Sequence, residues 1–485
     1  MFEVIWKIFF ACTILSVSSA VEEDTIISTT RGKIRGKILQ TEVGVDINAW
    51  LGIPFASPPI NELRFQKPYP IIYDWDGILE TTEKKPECFQ YVLDEVNSYS
   101  IEGPMAEDCL YLNVFVPHPK PKNAAVIVWL HGYEFFQGSL NHKFYSYETL
   151  AALENVVIVA PQFRHGILGY LYANDTNAPG NVGQYDQLMA LQWVNDNIKS
   201  FGGDPSKVTL MGYNSGASNT VFHCTSKLAA DLIDKCIIMS RTNSIKDNRN
   251  VNYALNALRA TANYFNCSDV FLDLLGQVEC LKDVPPLELV KADYIWGKNT
   301  QFTPIYEEDS LLSMDDLALL GRKFIIGSNS DLASIIKSHG SSSFSNINLS
   351  DELTRYQFMK NIQSFTWELS LKEAVKAILL YEYNNYVNFR DHTIESKNFN
   401  LLLSDWSLNC PMVSMSKDLA AAGIDIYQYH LDISNTYRTL ELDYPVSEDY
   451  LIFGNSLMQS NNDSELLMNV SRTMITYFSN FAKTG

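Results

Sequence analysis

The sequence predicts an α/β protein built on a mostly parallel, twisted sheet with helices on both faces. Short apolar runs rich in β-branched and aromatic residues recur along the chain, bounded by Gly, Pro or Asn, as buried strands are. At least one intervening stretch has helical period: Asp186 to Ser200 puts Leu188, Leu191, Val194 and Ile198 on one face. Strands alternating with helices call for a sheet covered on both sides. The composition agrees: 485 residues, 46% hydrophobic and 19% charged, suit a large globular chain and exclude a disordered or collagenous one.

Taken in order, residues 1–20 read as a signal peptide. Lys7 precedes an apolar stretch from Ile8 to Val17, and Ser18-Ser19-Ala20 offers small residues for cleavage. No other stretch approaches the roughly 20 apolar residues of a spanning helix. The expected strands are Ala125–Leu130, Val156–Ala160, Val208–Met211, Ile237–Met239, Phe324–Ile326 and Ile424–Tyr429. No repeat and no linker-like tract divides the rest, so residues 21–485 are expected to form one domain. Asn-x-Ser/Thr sequons at Asn174, Asn266, Asn348, Asn462 and Asn469 fit an exported, glycosylated chain.

Lys and Arg number 37 against 56 Asp and Glu, a net charge of -19, which argues against nucleic-acid and anionic-membrane partners. Seven cysteines follow the signal. The Cys88/Cys109 and Cys267/Cys280 spacings suit surface loops closed by disulfides in an oxidising compartment. Cys224 and Cys236, in apolar surroundings, are expected to be buried thiols. Neither a Cys-x-x-Cys nor a His-x-x-x-His pair occurs, so no metal and no cofactor is expected.

The most informative stretch is Phe201-Gly-Gly-Asp-Pro-Ser-Lys-Val-Thr-Leu-Met-Gly-Tyr-Asn-Ser-Gly216. A strand runs into Gly212-Tyr-Asn-Ser-Gly216 and then a helix-compatible run. This is the frame of a nucleophile elbow, in which small residues flank a strained apex. The apex is Asn214 where a nucleophilic Ser would stand. Asn tolerates positive φ well among non-glycine residues, so the turn can persist without its chemistry.

Together with Trp50-Leu-Gly-Ile-Pro-Phe-Ala56, Glu107-Asp-Cys-Leu-Tyr-Leu-Asn-Val114 and Gly180-Asn-Val-Gly-Gln-Tyr-Asp-Gln187, this stretch resembles the cholinesterase/type-B carboxylesterase family of α/β hydrolases, from about residue 25 to the last. The resemblance implies an α/β-hydrolase domain over 21–485, shortened at its C-terminus. It also implies that the triad positions are replaced: Asn214 at the nucleophile, Leu332 at the acid (in Gly327-Ser-Asn-Ser-Asp-Leu-Ala333) and Pro445 at the base, counted back from Phe453-Gly454. The family's oxyanion-hole glycines map onto Tyr133 and Glu134 in His131-Gly-Tyr-Glu-Phe135, and a carboxylate there would repel a developing oxyanion. An amide cannot attack a carbonyl usefully, and neither Leu nor Pro can shuttle a proton.

Ser215 in a shifted frame would put Tyr213 where a small residue belongs and still lack a base. Asp331 as the acid would have no histidine to orient, and His131 and His223 are expected to have a packed or capping role rather than a catalytic one. Residues 89–108 hold no Trp, which leaves a choline site unsupported, while Tyr133 and Phe135 could fill the gorge. The resemblance further implies Cys88–Cys109 and Cys267–Cys280 disulfides, and a Cys410 whose partner lies beyond the last residue here. Silent members of the family, of the neuroligin, neurotactin and glutactin kind, act as extracellular adhesion or recognition domains. The expected role is therefore a secreted, catalytically inactive binder of an extracellular or cell-surface protein. The alternatives are a carrier of a small apolar ligand in the former gorge and a residual esterase.

Overall fold

The structure, a computed structural model, describes residues 25–91, 103–240, 251–268, 273–300, 302–305, 313–329, 352–368, 371–383, 392–432, 446–458 and 464–485. Its centre is a nine-stranded sheet. In chain order the strands are β1 (Lys37–Gln40), β2 (Asp46–Pro54), β3 (Tyr111–Pro117), β4 (Ala124–Leu130), β5 (Val157–Pro161), β6 (Gly203–Tyr213), β7 (Lys235–Met239), β8 (Lys323–Asn329) and β9 (Ile426–Leu431). Across the sheet they run β9-β8-β7-β6-β4-β5-β3-β2-β1. From β9 to β5 all neighbours pair in parallel, while β3, β2 and β1 add an antiparallel edge.

Every residue of β4 is buried, because helices cover both faces. Its side chains alternate between two cores. Val126, Val128 and Leu130 join Leu191 and Val194 of helix α2 (Val182–Asn197) and Val221 of α3 (Ser215–Thr225). Ile127 and Trp129 point the other way, onto Tyr147 and Leu150 of α1 (Tyr147–Glu154) and Ile475 and Phe478 of α5 (Glu465–Thr484).

All six expected strands are present, and β6 extends two residues beyond Met211. The helix expected over Asp186 to Ser200 is α2, which begins earlier and gives way to a tighter turn at Ile198–Phe201. The antiparallel edge was not expected as strands. Strand β2 carries Asn48 and β3 carries Asn113, both buried, and these blur the apolar pattern. Their side chains are engaged instead: Asn113 Oδ1 accepts from the Gly52 N–H at 2.8 Å and Asn48 donates to the Pro117 carbonyl at 3.3 Å.

Helix α5 packs along the second core with Leu467, Met474, Ile475, Phe478 and Phe481 buried. Ser464 caps it, its hydroxyl accepting from the Leu467 N–H at 3.3 Å. Ser464→Ala removes that cap and is expected to lower stability by about 1 kcal/mol, read as a fall in melting temperature with unchanged secondary structure.

Three disulfides form: Cys88–Cys109, Cys267–Cys280 and Cys224–Cys236. The third corrects the expectation of buried thiols. Cys224 lies in the last turn of α3 and Cys236 in β7, and chain reversal brings their α-carbons to 6.5 Å inside the core. Apolar surroundings described the bridge as well as they described two thiols. Beside it the Arg322 guanidinium donates to the carbonyls of Cys224, Ile233 (3.0 Å), Ala229 and Ala230 (both 2.7 Å). Burial pulls Arg322 down to about 10, partly offset by Asp231 and Asp234. Cys410 has no disulfide and is exposed.

Of the sequon asparagines, Asn174, Asn266 and Asn469 are exposed. Asn348 and Asn462 lie outside the described residues, as do residues 1–20. No helix among the described residues is long and apolar enough to cross a membrane.

Candidate functional site

The chain turns sharply at the end of β6, at the carboxyl edge of the parallel strands where open α/β sheets place their sites. Gly212 and Gly216 make the turn possible. A β-carbon on Gly212 would lie 2.3 Å from the Gly216 carbonyl oxygen, and one on Gly216 would lie 1.9 Å from that of Leu130. Asn214 stands at the apex with φ 53° and ψ -123°, a strained conformation outside the left-handed helical well that Asn ordinarily visits. Its N–H donates to the Met239 carbonyl at 3.2 Å, which fastens the apex to the end of β7.

The Asn214 side chain folds back over the turn. Its Oδ1 accepts from the Ser215 N–H at 2.6 Å and from the Glu134 N–H at 3.3 Å. Glu134 and Phe135 keep left-handed backbone, φ 51° and 66°, despite their side chains. The Tyr133 N–H, meanwhile, is closed into a local turn on the Gln137 carbonyl at 2.7 Å, with Gln137 returning a bond at 3.2 Å. At 134, where the resemblance places a glycine, the backbone N–H still reaches the apex and is occupied by the Asn214 amide oxygen.

Tyr133 and Phe135 are both buried. Phe135 packs edge-on against Tyr170 in a separate apolar cluster, and Tyr133 meets Phe136. Ser215 is buried against Gly132, where a β-carbon would meet its Oγ at 2.6 Å. Leu332, Asp331 and Pro445 lie outside the described residues.

His131 and His223 are packed, as expected, and His165 packs beside His131. His131 stacks on Phe163 at 4.5 Å, with His165 at 5.3 Å. Burial, then the neighbouring His165, hold His131 well below the usual imidazole range. Burial brings His165 and His223 down to about 3. His223 Nε2 pairs with Gln187 Oε1 at 2.9 Å.

A further titratable group stands beside the turn. Glu448 opens α4 (Glu448–Ile452) and is fully buried. The Ser240 hydroxyl contacts both carboxyl oxygens at 2.6 Å, and the Tyr429 hydroxyl donates to Oε1 at 2.9 Å. Ser240 also accepts from the Asn329 N–H at 3.1 Å, so the cluster ties together the ends of β7 and β8. Burial pushes Glu448 up to about 7 against the lowering effect of these hydrogen bonds, with Asp449 raising it further. Sequence reading missed it because Ser447-Glu448-Asp449 looks like any capped, acidic helix start. Its partners come from segments far apart in the chain. Among the described residues no three His, Cys, Asp or Glu side chains form a metal-holding group.

A mixed sheet with helices on both faces and a glycine-flanked turn after its central parallel strand defines the α/β-hydrolase scaffold. The Carboxylesterase family model matches residues 23–485, and the chain belongs to that family. It is 30% identical to the cholinesterase of Mus musculus over 96% of this chain and 80% of that protein. It is also 30% identical to the acetylcholinesterase of Bungarus fasciatus, over 95% of this chain and 78% of that one.

Proposed function

We propose that this chain is a non-hydrolytic member of the carboxylesterase family that works outside the cell by binding another protein. The observation that carries the first half is the apex itself. Asn214 supplies no nucleophile, and its own carbonyl oxygen occupies the N–H groups of Glu134 and Ser215 that would otherwise polarise a substrate carbonyl. Leu332 and Pro445 at the remaining triad positions leave no proton shuttle. Export is supported by the apolar N-terminal stretch, three disulfides and exposed sequons. The binding role follows from a kept scaffold without its chemistry, as in the family's adhesive members.

The test is fluorophosphonate labelling of the secreted protein, read by intact mass and peptide mapping beside an active relative. No adduct is expected while the relative labels fully. A stoichiometric adduct on Ser215 or any other serine would overturn the non-hydrolytic reading. For the binding half, the tagged chain is expected to decorate cells saturably, and protease treatment of the cell surface is expected to abolish this. Saturable binding that survives such treatment would count against a protein partner.

A further inference from the structure

An open cleft of about 610 Å³ lies between the segment Gln66–Pro70 and the hairpin formed by Tyr172–Asp175 and Ala178–Pro179. That volume falls within the about 300–1,000 Å³ of small-ligand pockets. One wall presents Pro68, Tyr69 and Pro70, with Tyr69 50% exposed. The other carries Asn174, the asparagine of the sequon Asn174-Asp175-Thr176.

The walls are held in place. Gln66 Nε2 donates to Asn177 Oδ1 at 3.0 Å across the two segments. Ser57 fixes the first wall through the carbonyls of Tyr69 (2.8 Å) and Pro70 (3.1 Å). In the hairpin, Asp175 Oδ1 accepts from the Asn177 N–H at 2.8 Å, and the Tyr172 hydroxyl donates to Asn174 Oδ1 at 2.9 Å. The last bond fixes the Asn174 amide through its oxygen. The nitrogen is the atom that takes sugar.

We infer that Asn174 carries an N-linked glycan whose first sugars lie in this cleft, stacked on Tyr69 and the flanking prolines. The inference rests on the proposed export. The amide nitrogen displaces a polyisoprenyl-linked pyrophosphate from the anomeric carbon of the donor oligosaccharide, loses a proton, and forms the C–N bond. The C–H face of a pyranose is apolar and fits an aromatic ring face, while Gln66 and Thr176 at the rim can meet its hydroxyls. The glycan also covers an otherwise bare apolar ridge, since Ile72 is 85% and Tyr73 62% exposed just beyond Tyr69. Asn266 and Asn469 do not line this cleft, which makes them internal controls.

The test is glycopeptide mapping of the secreted chain, with timed release of glycans by a peptide-N-glycosidase under native conditions. Asn174 is expected to be occupied, to keep less-processed sugar than Asn266 or Asn469, and to release its glycan roughly two- to tenfold more slowly, the factor one aromatic contact supplies. Tyr69→Ala, a surface change, is expected to bring its release up to that of the controls without reducing secretion. An unoccupied Asn174 beside occupied controls overturns the site alone. Equal release rates that Tyr69→Ala leaves unchanged overturn the seating, and a secretory chain bare at all three positions overturns the export reading with it.

Discussion

Asn214→Ser, which restores a hydroxyl to the apex, is expected to leave ester hydrolysis on the order of a million-fold below that of an active relative. The substitution removes the amide oxygen that now accepts from Glu134 and Ser215. It supplies no base: Pro445 has no titratable group, His131, His165 and His223 are buried in their own contacts, and the buried Glu448 is committed to Ser240 and Tyr429. It also leaves the Tyr133 N–H committed to Gln137. The effect it should have is on stability: two backbone donors lose their acceptor in a strained turn, about 1–3 kcal/mol by denaturant titration. The assay is p-nitrophenyl acetate turnover from acid to alkaline pH. A saturable rate above buffer, abolished by returning position 214 to Asn, would show that a working base exists and would end the non-hydrolytic reading.

The elbow was legible because its requirement is local. Gly212 and Gly216 are demanded by close backbone contacts at the turn and stand in a fixed spacing around its apex. The inner strands were legible for a similar reason, since burial on both faces writes continuous apolar runs such as Ala124–Leu130. What could not be read was contact between distant segments. The Cys224–Cys236 bridge depends on how α3 meets β7. The reach of Asn214 Oδ1 to the Glu134 N–H depends on the loop after β4 lying against the turn after β6, 80 residues away in sequence. Glu448 is the extreme case, with one partner 208 residues away and the other on the edge strand.

That carboxyl sets the second large expectation: Glu448→Gln stabilises the protein at alkaline pH. The folded state holds Glu448 near 7, against 4.5 for the free side chain. The folded state therefore binds its proton more tightly than the unfolded chain does. Its relative stabilisation is complete below about 4.5 and is lost as the pH rises through 7. At about 1.4 kcal/mol per pKa unit, holding the ionised form in the core at pH 8 weakens the fold by about 3 kcal/mol. Burial and the neighbouring Asp449 favour the neutral form and outweigh the Ser240 and Tyr429 hydroxyls, whose hydrogen bonds favour the ionised one; the Tyr213 and Tyr429 hydroxyls are themselves pushed well above their usual range by burial and bring no charge. A glutamine at this position keeps an acceptor for Ser240 and Tyr429 and carries no charge at any pH. The stability gain over the native chain should therefore grow by roughly 2–3 kcal/mol between pH 5 and pH 8. The buried histidines titrate identically in both proteins and cancel from the difference. Urea titrations of the two proteins at a series of pH values measure it. A gain that does not change with pH would mean that Glu448 titrates as an ordinary exposed carboxylate, and a gain that shrinks toward pH 8 would mean that the fold prefers it ionised.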